Sequence, residues 1–104
     1  MQFHIITIFP ELFLSPLSIS LLKKAQDKGI VSCRVHNLRD YAEGKHRSTD
    51  DAPYGGGFGM GMKPEPGSAA LNEVCQSAAE QGSLRRILLS PRGARLTQEK
   101  VVHL

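Results

Sequence analysis

The sequence has few of the features that indicate a membrane-bound or disulfide-linked protein. Its longest apolar runs, at 5–9 and 87–89, are far shorter than the roughly 20 residues that a membrane-spanning helix needs. Pro10 and Glu11 interrupt the apolar start, so it does not resemble a secretory signal. The two cysteines, Cys33 and Cys75, belong to no CxxC or paired-histidine pattern, which favours free buried thiols over a metal site. We expect a cytoplasmic protein with no bound metal.

The length and composition are those of a small globular protein. A chain of 104 residues forms one domain at most. Its 40% apolar and 22% charged residues lie in the ordinary globular range, so the chain as a whole is not expected to be disordered. The net charge of +3 permits a polyanionic partner without requiring one.

The order of apolar patterns predicts alternating strands and helices. Short runs rich in branched apolar side chains predict three strands, at Phe3–Phe9, Ile30–Leu38 and Leu84–Leu89. The first run is so continuously apolar that we expect a strand buried on both faces. Helical spacing of apolar residues between these strands predicts helices from Ser15 to Gly29 and from Pro64 to Gly82. After the third strand we expect a turn at Ser90–Gly93 and a last helix capped by Thr97.

This alternation is typical of an α/β fold with a parallel sheet. The last helix has neither a C-cap glycine nor a following proline, and Val101, Val102 and Leu104 present apolar surface at the end of the chain. We therefore expect the 104 residues to be the front part of a longer protein.

The stretch from His46 to Met62 is the part of the sequence that packing explains least. Five glycines fall within the seven residues that start at Gly55, and glycine loses more conformational freedom on ordering than any other residue. A titratable imidazole, a guanidinium and two carboxylates lie just upstream. We interpret this stretch as a binding loop that orders on its substrate.

The glycines do not match the common phosphate-binding motifs. The loop lacks the Gly-Lys-Ser/Thr ending of a Walker loop. Met60 and Met62 stand where the dinucleotide fingerprint requires its last glycine. The ligand of the loop must therefore be sought elsewhere.

Several motifs together resemble the bacterial tRNA (guanine-N1)-methyltransferases of the SPOUT class. The resemblance runs from residue 2 to the end of the chain, and its most specific part is the string DDxPYGGGxGM that begins at Asp50. The other matching segments are Ile5–Glu11, Asn37–Asp40, Lys45–Arg47 and Leu89–Pro91. One departure is Arg92, where family members often have glutamine after the Ser-Pro pair.

The resemblance implies methyl transfer from S-adenosyl-L-methionine to N1 of the guanosine at tRNA position 37, just 3′ of the anticodon. It also implies a trefoil-knotted α/β fold, here truncated before the knot is complete, and a homodimer that binds the tRNA anticodon stem-loop. Residues 1–104 would form the N-terminal part of one SPOUT domain, with a flexible substrate loop at about 43–62. The general base and the other cofactor loops are expected beyond residue 104.

The resemblance also assigns candidate site residues. His46 and Asp50 are supporting candidates for the proton relay. The substrate-binding candidates are Lys45, His46, Arg47, Asp50, Tyr54, Gly55, Gly56, Gly57, Phe58 and Gly59. The cofactor-binding candidates are Leu88, Leu89, Ser90 and Pro91.

Each assignment has a plainer alternative. In this alternative, His46 and the neighbouring cations are solvated loop charges. Asp50 caps a turn ahead of Pro53, and Tyr54 anchors the loop to the core. At the level of the whole chain, one alternative is a non-catalytic RNA-binding fragment. Another is a small phosphate-handling enzyme with an unusual glycine loop.

We predict that the isolated 104-residue chain does not methylate tRNA, because the base catalyst and most of the cofactor site are expected outside it. The measurement is transfer of labelled methyl groups from S-adenosyl-L-methionine to a tRNA transcript with guanosine at position 37. Incorporation above a control without protein would contradict the prediction.

Overall fold

The computed structural model describes residues 1–42, 50–51, 61–62 and 64–104. The chain divides into two compact units, Met1–Val74 and Cys75–Leu104, which are described separately. Most of the glycine-rich loop lies outside the described residues, so its predicted limits at 43–62 stay a prediction, as does the expectation of one domain.

A parallel pair of strands organises the first unit. Strand β1 spans Gln2–Thr7 and strand β2 spans Ser32–Asn37, and the register runs from Gln2 opposite Ser32 to Thr7 opposite Asn37. Parallel strands need a crossover between them, and three short helical segments supply it. The α/β class with a parallel sheet is therefore confirmed.

Burial of β1 on both faces was a wrong prediction for this structure. Phe3 is 47% exposed, and Ile5 and Ile6 are only half-buried. The sheet contains two strands, so each strand has a neighbour on one side only among the described residues. Side chains at both edges of such a pair keep much of their contact with solvent.

The predicted first helix is broken into pieces. A 3₁₀ helix at Pro10–Phe13 leads into one α-helical turn, α1, at Leu14–Leu17, and helix α2 follows at Ser20–Asp27. Ser20, the first residue of α2, has a φ of +54°, so the backbone of α1 does not continue into α2 as one helix. The amide of Gln26 donates to the carbonyl of Leu17 at 2.6 Å, which satisfies a backbone acceptor left open at the break.

Gly29 ends α2 as its position in the sequence predicts. It has a φ of +72°, and its N–H donates to the carbonyl of Gln26 at 3.0 Å. The N–H of Ile30 donates to the carbonyl of Ala25, also at 3.0 Å. These two bonds form a Schellman motif, in which a left-handed residue just beyond the helix closes its last turn.

Helix α3, at Pro64–Ala79, carries the most buried side chains of the first unit. Pro66, Ala70 and Val74 recur every four residues and are all buried, so they form one stripe of the helix. The neighbouring Leu71 is 46% exposed. Among the residues whose burial the structure describes, the other buried apolar one is Leu38, in the 3₁₀ helix Leu38–Tyr41 that follows β2.

A second, smaller strand pair closes the glycine-rich segment. Strand β3 is Asp50–Asp51 and strand β4 is Gly61–Met62, and they pair antiparallel with Asp51 opposite Gly61.

The unit Cys75–Leu104 differs most from its predicted structure. Residues 84–89 form no strand, and Leu88 and Leu89 are each 89% exposed. An isolated extended segment is not a strand until another strand pairs with it, and neither described sheet includes these residues. The turn at Ser90–Gly93 is confirmed by a 3.1 Å bond from the N–H of Gly93 to the carbonyl of Ser90.

Helix α4, at Gln98–His103, confirms the predicted cap. The side-chain oxygen of Thr97 accepts a hydrogen bond from the N–H of Lys100 at 3.2 Å. At the other end, the guanidinium of Arg85 donates to the carbonyl of His103 at 2.7 Å, which places a cation at the negative end of the helix. No helix in the described part of the chain is long and apolar enough to cross a bilayer.

We predict that Gly29→Ala destabilises the protein by about 1 kcal/mol, because alanine pays a steric cost at positive φ that glycine does not. A Cβ at this position would meet nothing within 4 Å, so the cost comes from the backbone alone. The measurement is the free energy of unfolding in urea.

Gly67→Ala is the matched control. Gly67 lies inside α3, where an added Cβ also meets nothing within 4 Å. Alanine is the better helix former and stabilises by about 0.5 to 1 kcal/mol. Equal effects of the two substitutions would contradict the assignment of Gly29 as the residue that closes α2.

Candidate functional site

The candidate site begins where the two parallel strands end. Because β1 and β2 run in the same direction, Thr7 and Asn37 lie opposite each other at the carboxyl edge of the sheet. In open α/β sheets this edge is where ligands bind. The chain leaves β2 at Asn37 and enters the 3₁₀ helix Leu38–Tyr41, which precedes the glycine-rich segment in the sequence.

Local hydrogen bonds fix both strand ends. The hydroxyl of Thr7 accepts a hydrogen bond from the N–H of Phe9 at 3.1 Å and turns the chain after β1. The side-chain oxygen of Asn37 accepts from the N–H of Arg39 at 3.0 Å and caps the 3₁₀ helix Leu38–Tyr41. Leu38 in that helix is 2% exposed, which anchors it in the core.

Tyr41 joins this 3₁₀ helix to α3. Its hydroxyl donates a hydrogen bond to the carboxylate of Glu73, and this bond is the main reason that the pKa of Tyr41 is raised above 10.0. Partial burial and the negative charges of Glu73 and Asp40 raise it further. The residue before the glycine-rich segment and the helix after it are therefore linked by one side-chain contact.

A pair of histidines bridges the two strands of the sheet. The ring nitrogen Nδ1 of His4 lies 3.0 Å from Nε2 of His36, and the rings stack with their centroids 5.2 Å apart. The pKa of His36 is lowered by burial first, then by His4 and Arg34, whereas the charge of Glu73 opposes the shift. Glu73 therefore influences both Tyr41 and His36.

The structure places few of the candidate substrate residues. The backbone of Asp50 belongs to β3, opposite Met62. The remaining candidates lie outside the described residues: Lys45, His46, Arg47, Tyr54, Gly55, Gly56, Gly57, Phe58 and Gly59. Their roles stay predictions.

The candidate cofactor residues lie in the unit Cys75–Leu104. The hydroxyl of Ser90 accepts a hydrogen bond from the N–H of Arg92 at 3.2 Å. A Cβ at Gly93 would come within 3.3 Å of the carbonyl of Ser90, so the turn is close-packed. Leu88 and Leu89 precede it as exposed apolar side chains.

Two further groups of residues bear on the chemistry. In the described ranges, no three or more His, Cys, Asp or Glu side chains are grouped so that they could hold a metal ion. Cys33 and Cys75 are free and half-buried, so the expected free thiols are confirmed but their full burial is not.

Sequence reasoning missed His4, His36, Tyr41 and Glu73. Each stands alone in its own segment, and only the strand register and the position of α3 bring them together. The one available signal was that His4 and His36 each lie in a predicted strand. To place both on the same face of the sheet, the register of the two strands would have had to be known.

Comparison with known proteins identifies the family. The family model described as tRNA (Guanine-1)-methyltransferase TrmD matches residues 1–104. A tRNA (guanine-N(1)-)-methyltransferase of Dictyoglomus turgidum is 50% identical over 99 residues, which are 95% of this chain and 38% of that protein. One of Thermobifida fusca is 46% identical over 104 residues, which are 100% of this chain and 39% of that protein.

A solved structure shows the same fold. The crystal structure of tRNA (m1G37) methyltransferase from Aquifex aeolicus superimposes with a TM-score of 0.67 and 35% sequence identity, over 74% of this chain and 34% of that chain. The chain thus spans well under half the length of the relatives that it matches.

The fold and these matches define the class of protein as an α/β methyltransferase. Within that class, the chain belongs to the tRNA (guanine-1)-methyltransferase family, TrmD. The resemblance that the loop motif indicated is confirmed.

We predict that Glu73→Ala lowers the pKa of Tyr41 toward 10.0, because it removes both the hydrogen bond and the negative charge that raise it. The chain has two tyrosines, so the titration is followed by phenolate absorbance in a Tyr54→Phe background. Glu73→Gln should give an intermediate value, since the amide still accepts a hydrogen bond but carries no charge.

Glu80→Ala is the control, since Glu80 contributes nothing to the shift of Tyr41. It should leave the titration of Tyr41 unchanged. An unchanged titration in Glu73→Ala would mean that the link between Tyr41 and α3 does not form in solution.

Proposed function

We propose that this chain provides the substrate loop and part of the cofactor site of a tRNA (guanine37-N1)-methyltransferase. The observation that carries the proposal is the family match over residues 1–104, which includes the loop motif from Asp50 to Met60. The methyl group would come from S-adenosyl-L-methionine and go to N1 of the guanosine 3′ of the anticodon.

The loop suits a guanine that has left the anticodon-loop stack. N1 of guanine is a weak acid, so its proton must leave as the methyl group arrives, and a carboxylate or a relay must lie within hydrogen-bond reach. Enzymes that act on a base generally extrude it and contact its Watson–Crick edge. The pairing of Asp51 with Gly61, which flank this part of the motif in the sequence, supports the proposal of a loop that contacts such a base.

The loop residues would divide this work. The glycines Gly55, Gly56, Gly57 and Gly59 allow main-chain groups to approach the base closely, and Tyr54 and Phe58 provide faces for stacking. Lys45 and Arg47 contact phosphate, which positions the tRNA without reading its sequence. His46 and Asp50 orient the guanine or assist removal of its proton.

The segment Leu88–Pro91 has properties that fit part of a nucleoside-binding site. Leu88 and Leu89 present apolar side chains to solvent, as the adenine of the methyl donor requires. In the described part of the chain, residues 84–89 make no backbone hydrogen bonds to other backbone groups, so their N–H and C=O groups can bond a ligand. When bound, the donor supplies the activated methyl group.

The same proposal includes the partners and the compartment. The tRNA anticodon stem-loop is the macromolecular partner, and two copies of the complete protein form a homodimer in the cytoplasm. The clusters Lys45–Arg47 and Arg85–Arg86 support a polyanionic partner.

A chimera tests this function. In it, the chain replaces the matching 99-residue segment of the Dictyoglomus turgidum relative, which supplies the remaining length. We predict methylation of a tRNA with guanosine at position 37 and none of the same tRNA with adenosine there. An inactive chimera that still binds tRNA would favour the non-catalytic RNA-binding alternative.

Substitutions in the chimera separate the roles of the loop residues. We predict that His46→Ala and Asp50→Asn each lower kcat/KM by about 100-fold, as expected for groups that assist proton transfer. Lys45→Ala should mainly raise the KM for tRNA. It should also reduce the slope of log binding constant against log salt concentration by about 1, as expected for the loss of one phosphate contact. Lys24→Ala, an exposed lysine of α2, is the matched control and should change neither.

A further inference from the structure

The side chains of His4 and His36 form a direct contact between β1 and β2. In the strand register, His4 pairs with Arg34 and His36 pairs with Ile6, so the two rings meet diagonally on one face of the sheet. Their planes are inclined by only 21°, and the ring nitrogens are 3.0 Å apart. Nε2 of His4 is buried and has no hydrogen-bond partner in the described ranges.

The protonation state decides whether this contact can exist. A hydrogen bond between two ring nitrogens needs one N–H donor and one bare acceptor, and a neutral pair or a pair with one extra proton provides both. When both rings are protonated, every ring nitrogen carries a hydrogen. Two N–H groups then point at each other over 3.0 Å, and two positive charges lie in stacked rings.

The surrounding charges do not offset this repulsion fully. Arg34 on β2 adds a third positive charge near His36, whereas Glu73 on α3 adds a negative one. The carboxylate of Glu73 does not act on His36 alone, because it also accepts the hydrogen bond from Tyr41 in the 3₁₀ helix after β2. The negative charge of Asp40 also acts on Tyr41. Together with partial burial, the net effect on His36 is a lowered pKa.

We propose that the His4–His36 pair is an acid-sensitive link between β1 and β2, which holds the two strands together near neutral pH and opens when both rings are protonated. Opening loosens the strand end from which the chain enters the candidate substrate loop. Protonation of the pair thereby affects the position of the 3₁₀ helix Leu38–Tyr41, which follows β2 directly.

The direction of the pH effect follows from the shift of His36. Its pKa in the folded chain lies below the ordinary value of 6.5, so the unfolded chain binds the proton more readily. The stability contributed by the neutral form is therefore complete above pH 6.5. It is lost as the pH falls from there through the pKa of the folded form.

An NMR titration of the 104-residue chain, from about pH 8 to about pH 5, tests the link through its imidazole resonances. We expect the pKa of His36 to lie below 6.5, and to move toward that ordinary value in His4→Gln, which keeps a hydrogen-bonding side chain but removes the second imidazole ring. A pKa of 6.5 or above for His36 that His4→Gln leaves unchanged would overturn the proposal. So would the absence of a folded spectrum in the wild-type chain at pH 8.

Urea unfolding over the same pH range provides the second measurement. The wild-type chain should lose stability as the pH falls, and His36→Gln should remove most of that loss. His103→Gln, which changes an exposed histidine of α4, should retain it. If His36→Gln does not fold, the NMR titration of His36 in the wild-type chain tests the link by itself. A free energy of unfolding of the wild-type chain that does not depend on pH contradicts the link.

Discussion

The parallel register of β1 and β2 is the constraint on which the rest of the first unit depends. It places Thr7 beside Asn37 at one edge of the sheet, and the chain leaves that edge toward the glycine-rich segment. It also brings His4 to His36 across the strands. The burial of Leu38 and the bond from Tyr41 to Glu73 then hold the 3₁₀ helix after β2 against α3. A change of register would separate all of these groups.

Features encoded within a few residues could be predicted from the sequence. Gly29 ends α2 and Thr97 caps α4 because left-handed φ and a side-chain acceptor are local requirements. Features that need a distant partner could not. The segment 84–89 has the composition of a strand but no strand beside it in the described sheets, and the break at Ser20 depends on how Gln26 reaches back to Leu17.

In the candidate site too, features that are local in the sequence could be predicted and contacts between distant residues could not. Its loop was recognised because a specific string of residues is continuous in the sequence, and the family match confirms the family that the string indicates. The contact of Tyr41 with Glu73 was missed because nothing in either segment signals the other. The two findings are complementary: the motif identifies the family, and the contacts of Tyr41 and α3 show how the elements on either side of the motif are linked.

The central claim is that the guanine at tRNA position 37 binds against the loop that starts at His46. The most direct measurement is photo-crosslinking of the active chimera to a tRNA that carries thioguanosine at that position, followed by mass spectrometry of the linked peptide. The account predicts that the crosslink falls within residues 46–61. A crosslink confined to residues outside this range, in a chimera that still methylates the tRNA, would contradict it.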